Sequence, residues 1–173
     1  IINAPHPATF ARELKRSWAQ RRASWYMLLF QTRLAEKLLR FNGYSALVRS
    51  TLREGLKKNY FNERDRQAYL EAWSQPGALT GGLNYYRAVP FRKWLGKNRP
   101  EIQGLGAASL TVRVPTLVLW GEKDPYLLPG NLDGLEKFVP DLKILRFPDA
   151  SHWVVHEQPD QINSAIREFL ASS

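Results

Sequence analysis

The chain has 173 residues and a net charge of +9, with 44% apolar and 24% charged residues. That length is about one domain, and the balance of side chains excludes a disordered chain. The absence of cysteine excludes a disulfide framework, a thiolate zinc site and a cysteine nucleophile.

The longest apolar run, Trp25 to Phe30, is far short of the roughly 20 residues a membrane-spanning helix needs. No basic segment followed by an apolar one opens the sequence, so no signal peptide is expected, and the expected setting is the cytoplasm. Charge is uneven. Residues 1–110 carry 19 Lys and Arg against 7 Asp and Glu, a balance of +12; residues 111–173 carry 6 against 9, a balance of −3. The cations are scattered rather than blocked, which reads as a solvated helical surface. No nucleic-acid motif accompanies them, so no nucleic-acid partner is expected. Membrane contact through the basic half would require segregated apolar and cationic faces. Arg21, Arg22, Lys57 and Lys58 do not segregate in that way.

Ile1-Ile2 reads as the end of a strand, and a start inside an apolar pair reads as a cut through a longer chain. Ala8 to Arg22, free of Pro and Gly, predicts a helix with Phe10, Leu14 and Trp18 on one stripe. Ser24 is placed to cap a second helix running to about Arg40, with Tyr26, Phe30 and Leu34 on one face. Asn42-Gly43 breaks it, and a third helix is expected over roughly 44–55. Asn62, with Asp65 three residues on, caps a fourth that ends near Trp73. Thr80-Gly81-Gly82 opens a fifth, ending near Phe91.

From residue 111 the period changes. Pro115 to Trp120 is a continuous β-branched and apolar run, the pattern of a strand buried on both faces of a parallel sheet, and Gly121 ends it. Residues 130–139 are expected to form a helix with Leu132, Leu135 and Phe138 inward. Leu142 to Phe147 reads as a second strand. Pro159 to Leu170 reads as a helix with Ile162, Ile166, Phe169 and Leu170 on one side. The fold class is therefore α/β, with a right-handed crossover. Two strands do not complete an open parallel sheet, so an N-terminal part of the same fold is expected to be missing. The organisation expected is a strand end over 1–8, a helical domain over 9–95 and a sheet portion over 96–173.

In open α/β sheets the functional groups lie beyond the carboxyl ends of the strands. Asp124 follows the first strand of this tail and His152 follows the second. Adjacent parallel strands would bring both loops to one edge. An acid there can fix a histidine tautomer and stabilise the imidazolium, leaving the other ring nitrogen as general base.

The stretches Val114 to Asp124, Ser151-His152-Trp153 and Glu157-Gln158-Pro159-Asp160 together resemble the C-terminal end of the α/β-hydrolase fold. Asn3-Ala4-Pro5-His6-Pro7 resembles the point where the epoxide hydrolase and dehalogenase branch leaves the sheet for an all-helical cap, or lid, domain. The resemblance spans essentially the whole chain. It implies that Asp124 is the relay acid and His152 the base.

Ser24 to Gln31 and Gly81 to Arg87 resemble the two cap segments that carry ring-opening tyrosines in epoxide hydrolases, which places those roles on Tyr26 and Tyr86. Two phenols can polarise an epoxide oxygen and stabilise the developing alkoxide. The dehalogenase cousins have a His-Trp pair where this chain has Tyr26-Met27. Tyr85 is expected to pack, His6 to be structural, and His156 to pack or lie exposed. Trp25, Phe30, Leu128 and Trp153 are candidate substrate-pocket walls.

The resemblance implies an aspartate nucleophile upstream of the cap, and no Gly-x-Asp-x-Gly or Gly-x-Ser-x-Gly turn occurs in this sequence. The expected partners are therefore an epoxide substrate, water and the missing N-terminal half, with no metal or organic cofactor. The 173-residue chain alone is expected to be inactive. A dehalogenase or esterase of the same fold, or a non-catalytic remnant, are the alternatives.

Overall fold

The computed structural model describes residues 1–89 and 110–172. The chain divides into two compact units, Ile1–Ser24 with Lys93–Ser173, and Trp25–Arg92.

In the first unit, β1 (Thr116–Gly121) and β2 (Leu142–Phe147) pair in parallel from Thr116 opposite Leu142 to Gly121 opposite Phe147. Every residue of β1 is buried. Leu117 and Leu119 pack on one face with Phe147, Val154, Ile162 and Ala165, while Val118 and Trp120 pack on the other with Leu132, Leu135 and Val139. Each such fully buried aliphatic side chain contributes about 1.5–3 kcal/mol. The uninterrupted apolar run of the sequence thus reflects two covered faces. Ile2 makes an isolated parallel bridge to Leu119, so β1 has neighbours on both sides.

The remaining elements of this unit serve the sheet. The predicted helix over 8–22 is two helices, α1 (Pro7–Arg16) and α2 (Trp18–Ala23). Ser17 takes extended backbone angles between them and its side chain accepts from the Gln20 amide, starting the helix afresh. Phe10 and Leu14 are buried as expected, but the break carries Trp18 out of the stripe and leaves it 72% exposed under the Arg21 guanidinium. Both helices belong to the sheet unit, although the sequence pattern groups them with the helices that follow. Arg12 donates to the Gly130 and Asp133 carbonyls, and Gln20 bonds across to Tyr126, Leu128 and Asn131.

Residues 130–139 hold no continuous helix. Two 3-10 turns, Pro129–Leu132 and Leu135–Lys137, are separated by Gly134 in the left-handed region at φ 69°. Leu132 and Leu135 still face the core, and Phe138 is half-buried. After β2 come α8 (Val154–Glu157) and α9 (Pro159–Ala171). Ile162 is buried, whereas Leu170 is 68% exposed.

The second unit is helical: α3 (Tyr26–Phe30), α4 (Leu34–Leu47), a π-helical turn (Val48–Leu52), α5 (Arg53–Lys57), α6 (Glu63–Ser74) and α7 (Ala78–Ala88). Ser24 closes α2 rather than capping the next helix, and α3 ends at a turn before α4, so Leu34 leaves the expected stripe and is 54% exposed. Asn42 and Gly43 do interrupt the helical backbone, within a left-handed run from Asn42 to Tyr44. The Asn62–Asp65 capping box is formed in full. The unit's core joins Ala35, Leu39, Leu79 and Leu83. Helix α7 ends at Ala88; the expected end near Phe91 lies outside the described residues. No helix among the described residues is long and apolar enough to cross a membrane.

Candidate active site

Gly121 ends β1 and decides how the next loop is met. A Cβ built there would sit 2.2 Å from the Ser151 carbonyl oxygen and 2.7 Å from that of Ala150, so only glycine lets the loop after β2 lie directly on the strand end. The Lys123 amide donates to the Ala150 carbonyl at 2.9 Å and fixes that approach.

The close packing brings Asp124 and His152 together. Asp124 is 2% exposed. Its Oδ1 accepts the amides of Tyr126 at 2.7 Å and Leu127 at 3.0 Å. Its Oδ2 lies 2.7 Å from His152 Nδ1 and accepts from the Asn3 carboxamide at 2.8 Å. A carboxylate so placed keeps the proton on Nδ1 and leaves Nε2 as the basic nitrogen.

The imidazole is half-buried. Tyr126 and Trp153 meet it edge-on, with ring centroids at 5.5 and 5.6 Å. Ser151 is held beside it by donating from both its amide and its hydroxyl to the Glu157 carboxylate.

Residues that pattern alone did not single out complete this environment. Asn3 bonds Asp124 directly. Gln20 is fully buried and uses both ends of its carboxamide: Nε2 donates to the Tyr126 carbonyl at 2.8 Å, and Oε1 accepts from the Leu128 amide at 3.0 Å and Asn131 Nδ2 at 2.8 Å. Gln20 thereby braces the loop whose amides grip Asp124. No local sequence signal marks it, because a glutamine in a polar helical stretch reads as solvated and its partners lie more than a hundred positions away.

In the helical unit, Tyr26 at the start of α3 and Tyr86 on α7 lie edge to face with ring centroids 6.0 Å apart, and their hydroxyls are hydrogen-bonded. Phe30 packs on both, at 5.2 and 5.0 Å. Burial pushes the Tyr86 phenol above the usual tyrosine value, and the bond with Tyr26 works in the opposite direction. Gln31 donates to the carbonyls of Tyr86 and Val89, tying α3 to the end of α7. Arg87 bonds Glu36 and the Thr32 carbonyl from the same turn.

Of the four candidate pocket walls, Trp153 stands against His152 and Phe30 against the tyrosines. Leu128 is half-buried, with its amide held by Gln20, and Trp25 is 63% exposed. Tyr85, expected to pack, is 73% exposed and touches Tyr86 edge-on. His6 is structural: it caps α1, bonds the Leu110 carbonyl at 2.9 Å and stacks on Phe138. His156 is exposed, with its ring against Trp153. Among the described residues no group of three or more His, Asp or Glu side chains could hold a metal ion.

Residues 3–159 match the family described as alpha/beta hydrolase fold. Over 98% of the chain, the sequence is 30% identical to epoxide hydrolase 2 of Caenorhabditis elegans, covering 46% of that protein. It is 33% identical to the AB hydrolase superfamily protein YfhM of Bacillus subtilis, covering 55% of it. Among solved structures, the epoxide hydrolase of Bacillus megaterium, determined in complex with an inhibitor, matches 98% of this chain at a TM-score of 0.83 and 32% identity, with 59% of that chain covered. The chain thus spans about half the length of the curated relatives it matches. With Asp124 and His152 paired beyond adjacent parallel strands and these likenesses along its length, the chain belongs to the α/β-hydrolase fold family, on its epoxide hydrolase-like branch.

Proposed function

We propose that the protein containing this chain adds water to an epoxide to give a diol, through an alkyl-enzyme ester, and that Trp25–Arg92 serves as the cap domain of that enzyme. The nucleophile is an aspartate in a segment preceding Ile1. Its carboxylate attacks an epoxide carbon, the carbon–oxygen bond breaks, and the departing oxygen takes a proton from a phenol. Tyr26 and Tyr86 are the phenols. His152 Nε2 then accepts a proton from water as the water attacks the ester carbonyl, and Asp124 stabilises the resulting imidazolium. Collapse of the tetrahedral intermediate expels the diol oxygen, which takes the proton held by His152, and the carboxylic acid so formed gives its proton, through solvent, to the phenolate, restoring carboxylate, imidazole and phenol.

The observation that carries this reading over an esterase or dehalogenase is the tyrosine pair, two phenols meeting edge to face with ring centroids 6.0 Å apart, Tyr86 half-buried. A phenol that stays protonated near neutrality yet can yield its proton to an alkoxide is what ring opening demands and ester hydrolysis does not.

The test is turnover of an epoxide, a haloacid and an ester by the protein that includes its upstream segment. Tyr26→Phe and Tyr86→Phe are each expected to lower epoxide turnover by about a hundredfold. Epoxide turnover that survives both substitutions overturns the assignment. Preferential turnover of the haloacid or the ester transfers it to the corresponding activity.

A further inference from the structure

We infer that Asn3 is a positioning residue of the acid–base pair, holding the Asp124 carboxylate in the rotation that presents Oδ2 to His152. The inference rests on the epoxide hydrolase reading and assigns to Asn3 a step-specific part in it.

Asn3 is 4% exposed and lies beside the end of β1, where its backbone amide donates to the Leu119 carbonyl at 3.1 Å. Its side chain spans two groups of opposite demand. Oδ1 accepts the Gly121 amide at 2.8 Å, and Nδ2 donates to Asp124 Oδ2 at 2.8 Å, with a longer contact to the Gly121 carbonyl at 3.4 Å.

The chemistry of the residue follows from that geometry. Aspartate could serve the Gly121 amide but would set a carboxylate against a carboxylate. Leucine could serve neither. Glutamine would carry the same amide one methylene too far. The backbone at residue 3 adds a second restriction, because its φ of 36° lies in the left-handed region where Asn, Asp and Gly are tolerated best. Asparagine satisfies all three conditions.

Without the Asn3 donor, the two amides on Oδ1 still hold the carboxylate in the loop, but Oδ2 keeps only His152. The base is then less firmly oriented while the rest of the strand end is intact. His152 acts on water in the second half of the reaction, so loss of Asn3 slows hydrolysis of the alkyl-enzyme and spares its formation. A residue that merely supports the fold would slow both.

The experiment mixes the full-length protein with styrene oxide in a single turnover, quenches it, and follows the covalent adduct by intact mass. The variants are His152→Gln and Asn3→Gly; glycine tolerates the backbone angle and removes the side chain's bonds to Gly121 and Asp124. Adduct is expected to accumulate in both, with its hydrolysis in Asn3→Gly slowed about tenfold or more and its formation within about twofold of the parent protein. If Asn3→Gly does not fold, Asn3→Asp carries the same expectation, because it tolerates the backbone angle and keeps an acceptor for the Gly121 amide while losing the donor to Asp124.

Accumulation in His152→Gln with ordinary hydrolysis in the Asn3 variant overturns the positioning role and leaves the epoxide hydrolase reading standing. Equal slowing of formation and hydrolysis also overturns it. Absence of any adduct in His152→Gln overturns both.

Discussion

Tyr86 holds its proton more tightly in the folded chain than an exposed tyrosine does, because burial disfavours the phenolate more than the Tyr26 hydroxyl favours it. The unfolded chain releases that proton near pH 10, so the folded state binds the larger number of protons above it. The contribution of Tyr86 to stability is therefore complete below about pH 10 and is lost as pH rises through the higher folded value. Burial raises Tyr69 as well, so ultraviolet titration is expected to show late-ionising phenols of which one is lost in Tyr86→Phe, and the alkaline fall in melting temperature should be shallower in that variant. An unchanged titration curve would contradict the assignment. That Asp124 and His152 would meet was legible at this scale because both lie in the loops that leave the carboxyl ends of adjacent parallel strands. Asn3 was not legible as a partner of Asp124: the bond crosses 121 residues, and Asn-Ala-Pro reads locally as a turn. Which phenols meet was implied only by resemblance, since the spacing from Tyr26 to Tyr86 has no period.

Among the elements, the turn from β1 into the Asp124 loop depends on what its glycine lacks. In Gly121→Ala the new methyl group would overlap the backbone of Ala150 and Ser151, which has no flexible end to move aside. The loop must lift, opening the 2.7 Å contact between Asp124 and His152. A loss of about 1–3 kcal/mol in chemical denaturation is expected, together with a larger loss of turnover than stability alone explains. Denaturation coincident with the parent protein would contradict it. The two strands and the fourth helix were readable because an apolar run and an Asn-x-x-Asp box are local signals. The first helix was misread at Ser17 because a serine can either continue a helix or cap a new one, and periodicity cannot choose between them. The stretch over 130–139 was misread because Gly134 at positive φ overrides the spacing of Leu132 and Leu135.

At the scale of the molecule, the fold class was legible while the allegiance of α1 and α2 was not. Periodicity reports that a helix has an apolar face, not which unit covers it, and Arg12 and Gln20 make that choice through bonds to residues more than a hundred positions away. The bond from Asn3 to Asp124 bears, finally, on redesign. Residues 116–152 hold acid and base in one contiguous length, two strands joined by 3-10 turns, and invite transplantation into another parallel sheet. The transplanted carboxylate would arrive one donor short unless the neighbouring strand of the recipient also ended in asparagine, so a working graft is a two-segment exchange rather than one cassette.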